Sequence, residues 1–566
     1  MKLTETRKAS IFEKLNFIFR NDAGKVDKIF NGILKIVGSF PKNRDEAKSP
    51  WISENDAFLI TYGDSLLEDG ISPLKTLNTF AECYLKGIIN YIHILPFYPW
   101  TSDDGFSVSD YFAVDRNLGD WSDVERIARN FKIMFDAVVN HISAKSEWFQ
   151  GFLNGDEKYD NYFIISEWLD ELKKVTRPRT HPLLTDFQTR KGVKKVWTTF
   201  SDDQIDLNFC EAEVFLKVIE LLLFYASKGA SAIRLDAIGY IWKEIGTNCI
   251  HQPEAHKIIQ VWRDILEEIA PDVILISETN VPHKDNISYF GNGKNEVKMV
   301  YQFPLPPLVV HTLQTGNAEA LLKWASGLDK VSESTTFFNF LSSHDGIGVI
   351  PATGLLSKDE IDSMVKKVEQ HKGLISYKTN PDGSQSPYEM NINYLEAISR
   401  PDEGIELRAK KMLSAQFILL SFIGVPAIYI HSLLGSLNDF EGLKKTGRNR
   451  SINREKLNYA KLCEDLQNQD TLRSKVFAGI KKLLEIRKKH KAFSPLAEQI
   501  ILNIHPSVFS IVRCCSDEEI TVLGNISGNE VALLNLNFRG QDLISGKSVQ
   551  SRVKLRPYEF MWIKNN

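Results

Sequence analysis

From about residue 55 onward the chain repeats one pattern: a short apolar run, then a stretch whose apolar residues fall at helical spacing. The runs are AFLITY (57–62), INYIHILP (89–96), KIMFDAVV (132–139), SAIRLD (231–236), VILISE (273–278), VKMVYQF (297–303), TTFFNFL (335–341) and GVPAIYI (424–430). Several are near-continuous Ile, Val and Phe rather than strictly alternating, which predicts parallel strands covered on both faces. Over 212–228, Val214, Phe215, Val218, Leu221, Leu222 and Tyr225 keep helical spacing, and Gly229 follows where a C-terminal cap belongs. Pro253 opens a second helix with an apolar stripe of Ile258, Ile259, Val261, Trp262, Ile265 and Leu266. Eight strands alternating with helices predict an α/β fold, a (β/α)8 TIM barrel.

Two long segments interrupt this alternation. Residues 143–205 separate the third and fourth strands, and 347–402, with the turn-rich NPDGSQSP (380–387), separate the seventh and eighth. Insertions after barrel strands cover the C-terminal mouth, where chemistry sits. Beyond an amphipathic helix over 475–490, the runs SVFSIVRC, EEITVLGNI and YEFMWIK predict a small antiparallel β domain. The expected organisation is a helical N-terminal extension (1–54), a catalytic barrel (55–490) carrying the insertions 143–205 and 347–402, and a β domain (491–566).

Composition narrows the class. The 566 residues are 43% apolar and 25% charged with a formal net charge of −3, which argues against a nucleic-acid or anionic-membrane partner. No stretch reaches roughly 18 uninterrupted apolar residues, so no membrane span is expected. The opening MKLTETRKASIFEKLNF has neither a long apolar core nor a small-residue cleavage site. Cys83, Cys210, Cys249, Cys463, Cys514 and Cys515 form no metal-binding spacing and fit a reducing, cytoplasmic setting.

The polar residues that end these strands carry the chemistry. The third strand ends in Asp136, Asn140 and His141, the fourth in Arg234 and Asp236, the fifth in Glu278, and the seventh in His344 and Asp345. Taken singly, each is most simply a surface charge or a satisfied polar side chain. A barrel gathers its strand ends at one mouth, and their joint placement there is poorly explained that way. Glycosyl transfer with retention needs one ionised carboxylate and one that rests protonated. Arg234, on the same strand face as Asp236, is suited to keep it ionised, and Glu278 leaves an Ile/Leu-rich strand that raises its pKa. Asp345, His141 and His344 remain to bind sugar hydroxyls.

DAVVNH (136–141), IRLDAIGY (233–240), ISET (276–279) and LSSHDGIG (341–348) resemble the four signature regions of glycoside hydrolase family 13, the α-amylase family, and QIDLN (204–208) resembles its auxiliary fifth motif. The similarity implies that Asp236 is the nucleophile, Glu278 the general acid/base and Asp345 the transition-state stabiliser. ITYGDSL (60–66), HILPFYP (93–99), the DDGF turn (103–106), VTRPR (175–179) and RSINR (450–454) are similar to the sucrose phosphorylase subfamily. That likeness implies Asp103, Arg450, Phe106 and Gln204 on the glucose side, and Arg179 and Tyr240 at phosphate.

One position departs from the subfamily. Sucrose phosphorylases carry histidine two residues after the acid/base glutamate, whereas this chain has Asn280. ETNVPHKDNISYFGNG (278–293), the longer N-terminus and NPDGSQSPYEMN (380–391) look most like the glucosylglycerate phosphorylase branch. The implied reaction is reversible phosphorolysis of 2-O-α-D-glucosylglycerate to α-D-glucose 1-phosphate and D-glycerate. Its acceptor carboxylate calls for a second cation, for which Arg177, His283 and Lys284 are the candidates. Sucrose or sucrose 6'-phosphate phosphorolysis, or hydrolysis and transglucosylation of an α-glucoside, stay open as alternatives. A non-catalytic barrel serving a transporter is the rival from another class, and the three carboxylates weigh against it. Inorganic phosphate is the expected co-substrate, without cofactor or metal, although Asn140 matches a calcium ligand of many amylases. The partners expected are small molecules only, with a homodimer as the oligomeric expectation.

Overall fold

The computed structural model of the protein describes residues 3–40, 51–328, 332–380, 384–534 and 536–566. Of the expected N-terminal extension, residues 1, 2 and 41–50 lie outside the described residues, as do Pro381, Asp382 and Gly383 of the turn-rich run. Each of the eight apolar runs forms a strand: β1 (Phe58–Thr61), β2 (Tyr91–Ile94), β3 (Lys132–Ala137), β4 (Ala230–Leu235), β5 (Ile274–Ser277), β6 (Met299–Tyr301), β7 (Thr336–Phe340) and β8 (Val425–Tyr429). They pair in parallel and close, β1 meeting both β2 and β8. Every strand residue is buried except Lys132 and Ser231. Two-sided burial is why the runs lack polar alternation.

Two pairs of helices meet on one side of the barrel: α1 (Glu5–Ile18) and α2 (Ala23–Ser39) from the N-terminal segment, and α3 (Ala212–Ser227) and α4 (Pro253–Ile269) from the barrel's outer ring. Gly229, beyond the end of α3, has φ +95°, a conformation that favours glycine. Pro253 occupies the first turn of α4, where a backbone N–H has no intrahelical partner. Arg7 of α1 pairs with Asp264 and Glu267 of α4, both at 2.5 Å, and Lys14 pairs with Asp264 at 2.6 Å. Phe19 meets Phe215 of α3 edge-on at 5.7 Å.

Both insertions sit over the C-terminal ends of the strands. The first carries the helix Glu147–Leu153, a hairpin of Leu184–Thr189 with Gly192–Trp197, and Gln204–Asp206 paired with His141–Ser143. The second carries the helix Lys358–Gln370 and a hairpin of Leu374–Thr379 with Gln385–Asn391, whose second strand pairs with Ile347–Gly348. The amphipathic helix expected over 475–490 runs over Leu472–Arg487. It starts earlier because the Thr471 hydroxyl caps it, accepting from Ser474 N at 3.1 Å.

After residue 491 the chain forms a six-stranded sheet of mainly antiparallel neighbours and a small two-stranded one. Phe509, Ile511, Val522 and Trp562 of the larger sheet join the hydrophobic cluster of the barrel. Trp562 Nε1 donates to Ser421 Oγ at 2.8 Å, and Arg513 to Ser421 O at 3.0 Å. Among the described residues no helix is long and apolar enough to cross a membrane, and all six cysteines are free.

Candidate active site

Parallel register brings the strand-end residues together. Asp136 of β3 stands beside Arg234 of β4, which stands beside Ile276 of β5. One step further, Asp236 N donates to Ala137 O at 3.2 Å, and Glu278 N donates to Leu235 O at 3.1 Å. The sheet's hydrogen bonds thus reach past the strand ends and fix both carboxyl-bearing residues at the rim.

A cavity opens there. It is lined by Asp236, Glu278, Asp345, Arg234, His141 and His344, together with Asp103, Phe106, Gln204, Arg450, Arg179, Tyr240 and Asn280. Of the four strand-end carboxylates named from the sequence, Asp236, Glu278 and Asp345 share one chamber; Asp136 does not line it. Arg234 is its hub. Its guanidinium meets Asp136 and Asp236, the latter at 2.7 Å, and lies 3.7 Å from Glu278. Asp136 is fully buried between Arg234 and His93, whose Nε2 is 2.7 Å away. Burial alone would raise the Asp136 pKa, but those two neighbours bring it down to about 2.

Asp236 and Glu278 titrate differently from Asp136. Burial raises both, Arg234 opposes it, and neighbouring carboxylates raise them further, leaving Asp236 at about 6 and Glu278 at about 7. A hydrogen bond from Ala237 N at 3.0 Å holds Glu278 Oε2 in place. Ala237 itself is in the left-handed region (φ +49°), where the chain turns away from the strand directly after Asp236. Asp345 is held well below the usual carboxylate range: burial opposes this, and Arg450 is the leading cause of the lowering, with His344 and Arg454 adding to it.

On the flank of Asp103 the geometry is more constrained than the motifs imply. The DDGF turn holds Asp103 and Asp104 at positive φ, and a Cβ on Gly105 would lie 2.7 Å from Pro96 O, so only glycine fits. Phe106, expected on the glucose side, has one face already covered by His344 (centroids 4.6 Å apart, 7° between planes). His141 Nε2 donates to the Phe106 carbonyl at 2.9 Å, and Gln204 Nε2 donates to the same carbonyl at 3.2 Å. Arg450 does not ion-pair with Asp103. It pairs with Asp345 and, at 3.0 Å, with Glu389 of the second insertion's hairpin.

The acceptor-side expectations divide. Arg179 and Tyr240 line the cavity; Arg179 packs over the Tyr388 ring at 5.5 Å, and Phe200 meets Tyr240 edge-on at 5.5 Å. Asn280 also lines it, with Oδ1 buried and unpartnered among the described residues. Arg177 is not among the lining residues; its Nε and Nη2 are buried without a hydrogen-bond partner among the described residues, with Asp206 and His181 as its charged or titratable neighbours. His283 and Lys284 are off the site altogether. Pro282 starts a short helix, His283–Ile287, that leaves the rim, and Asn286 pins it by accepting from Thr279 Oγ1 (2.9 Å) and donating to Tyr301 O (2.6 Å). His283 therefore packs near Trp324 and Phe337, and Lys284 faces solvent.

Asn140 is fully engaged. Its Oδ1 accepts from Lys243 Nζ at 2.7 Å and its Nδ2 donates to Asp206 Oδ2 at 3.1 Å, while Lys243 pairs with Asp206 at 2.6 Å. An ammonium group thus supplies the positive charge between these oxygens. No cluster of three or more His, Cys, Asp or Glu side chains among the described residues is arranged to hold a metal ion. Sequence reasoning missed Phe200, Tyr388, Glu389, Lys243 and Arg454, whose Nε donates to His344 O at 2.8 Å. Tyr388 and Glu389 lie inside the SPYE run, but nothing in its wording says that the hairpin folds back over the mouth.

Comparison with known proteins agrees with this geometry. Residues 83–371 match the family model for the α-amylase catalytic domain. The chain is 47% identical to glucosylglycerate phosphorylase of Allomeiothermus silvanus over 99% of both chains, and 46% identical to that of Escherichia coli over 91% of this chain and 93% of the other. Among solved structures, sucrose 6F-phosphate phosphorylase from Thermoanaerobacter thermosaccharolyticum superposes with a TM-score of 0.73 at 27% identity, covering 85% of this chain and 96% of the other.

Proposed function

The chain belongs to the α-amylase family, and from that premise we propose that it is a retaining glucosyl phosphorylase acting on 2-O-α-D-glucosylglycerate. The reaction is a double displacement. Asp236 attacks the anomeric carbon as the C1–O bond to the acceptor breaks, and Glu278 gives its proton to the departing oxygen. Phosphate then attacks C1 of the β-glucosyl-enzyme, its proton passes to Glu278, and α-D-glucose 1-phosphate leaves. Two inversions give net retention.

Three features support the assignment of roles. Burial and neighbouring carboxylates raise Glu278, which suits it to hold the proton the first step needs, while Arg234 at 2.7 Å favours the ionised form of Asp236. Ala237 N and Arg234 hold the two carboxyl groups against one chamber. Arg450 and Arg454 keep Asp345 ionised beside the site where positive charge develops on the sugar. The observation that carries the choice of phosphorolysis over hydrolysis is Arg179. It lines the chamber without an ion pair among the described residues, where a phosphate dianion needs charge-assisted donors. The free cysteines support a cytoplasmic setting.

The test is an initial-rate comparison of glucosylglycerate and sucrose with and without phosphate. Phosphate-dependent release of glucose 1-phosphate, faster from glucosylglycerate, is expected. Faster turnover of sucrose, or free glucose formed independently of phosphate, would overturn the proposal in favour of a sucrose-type phosphorylase or a hydrolase.

A further inference from the structure

We infer that Arg179 is a shared anion clamp, the same guanidinium binding phosphate in one half-reaction and the acceptor's carboxylate in the other. This rests on the proposed function, in which the acceptor is glycerate. In a double displacement, the leaving acceptor and the incoming phosphate bond to C1 from the same side of the sugar, one after the other. They therefore use one subsite in turn, and a cation in that subsite faces both.

Among the described residues the lining offers one free cation. Of its arginine and histidine side chains, Arg234 is occupied by Asp136, Asp236 and Glu278, and Arg450 by Asp345 and Glu389. His141 has its Nε2 engaged by the Phe106 carbonyl, and burial holds His344 neutral, well below its ordinary pKa. Arg179 makes neither an ion pair nor a hydrogen bond among the described residues. The Arg179 guanidinium lies over the Tyr388 ring, 5.5 Å from its centroid, a contact that uses none of its N–H groups in a hydrogen bond and leaves them for two-pronged binding of a carboxylate or a phosphate. Arg179 also lines the larger outer chamber, with Arg448 and Arg454, so it stands where an anion passes from outside to C1. The other cations that the sequence offers for the carboxylate, Arg177, His283 and Lys284, do not line the chamber.

Asn280 completes the recognition. Its Oδ1 is buried and unpartnered, and the chain gives way beside it: a Cβ on Gly348 would lie 3.0 Å from Asn280 Nδ2. An unpartnered buried acceptor next to C1 suits a hydroxyl donor. One cation and one amide oxygen match a small hydroxy acid, its carboxylate on Arg179 and a free hydroxyl on Asn280.

The experiment uses α-D-glucosyl fluoride, an uncharged donor whose C1–F bond breaks as Asp236 bonds to C1, releasing fluoride. Wild type, Arg179→Gln and Arg179→Lys are each given glycerate, phosphate or glycerol, the uncharged analogue of glycerate, as acceptor. The readout is kcat/KM for each anion divided by that for glycerol in the same enzyme, so any general loss of activity cancels. For Arg179→Gln both ratios should fall by about tenfold or more, the effect of losing a charge-assisted pair, with a smaller fall for Arg179→Lys. A fall confined to phosphate would overturn the shared clamp while leaving phosphorolysis intact, as would two unchanged ratios. Wild-type enzyme that uses phosphate but transfers nothing to glycerate would instead overturn the acceptor reading, and the clamp with it.

Discussion

The pKa values of Asp236 and Glu278 are both raised by burial, and one guanidinium touches the two groups unequally. At 2.7 Å Arg234 favours the charged form of Asp236 more than it favours that of Glu278 at 3.7 Å. The active form has Asp236 ionised and Glu278 protonated. Protonation of Asp236 at about 6 should produce the acid limb of kcat/KM, and loss of the Glu278 proton at about 7 the alkaline limb. The two limbs belong to the pair and overlap in a narrow bell. Glu278→Gln should lose most of its turnover of glucosylglycerate but keep glucosylation by glucosyl fluoride, whose fluoride needs little protonation to depart; equal losses with both donors would remove Glu278 from the acid's role. Asp236→Asn should lower kcat by about a thousandfold or more through loss of the nucleophile, and activity within tenfold of the parent would sink that assignment. The identities of these carboxyls were legible in the chain because each directly follows a buried strand. So was their ordering, since Arg234 shares a strand face with Asp236; that the same guanidinium also reaches Asp136 and comes within 3.7 Å of Glu278 was not.

Among the elements, the strand-end motifs are bound to one another by a buried cation. Lys243, on the segment after β4, contacts Asn140 beside His141 and Asp206 on the strand that Gln204 opens. Asp206 also accepts from Thr199 N and Oγ1, both at 2.7 Å. Lys243→Met would leave a carboxylate buried without its counter-charge, at a cost of roughly 3–5 kcal/mol. A lower denaturation midpoint together with a raised KM for the glucoside is the expected result. An unchanged midpoint would show that the ion pair does not brace these motifs. By resemblance Asn140 matches a calcium ligand of many amylases, though no metal was expected, and the sequence gave no sign that Lys243, 103 residues away, reaches its amide oxygen. The same distance problem hid Glu389 and Arg454, which reach the site only because the second insertion and the segment after β8 fold over the mouth.

For the molecule as a whole, the N-terminal helices act as a cover on the barrel's outer ring. They bury Ile11, Leu15, Ile18, Val26, Ile29, Ile33 and Val37, and at roughly 1.5–3 kcal/mol for each such side chain the apolar term is on the order of 10 kcal/mol before chain entropy is subtracted. Removing residues 1–40 would expose the apolar flank of α3 and leave Asp264, 4% exposed, without Arg7 and Lys14. The truncated protein is expected to bind a hydrophobic dye, to melt several degrees lower and to aggregate. Equal melting temperature and light scattering would refute a covering role for the extension. Its helical character could be read from the chain, but the surface it covers could not.

Periodicity and composition alone determined the eight-stranded barrel, its two interruptions and the three carboxylates at its rim. They did so because two-sided burial writes each strand as an unbroken apolar run, and the residue that follows such a run must emerge at the mouth. Which cations are already taken and which one is free was decided only in three dimensions. A guanidinium's partners come from strands and loops far apart in the chain, and whether Arg179, Arg177 or His283 faces C1 turns on how the insertions and short helices leave the rim.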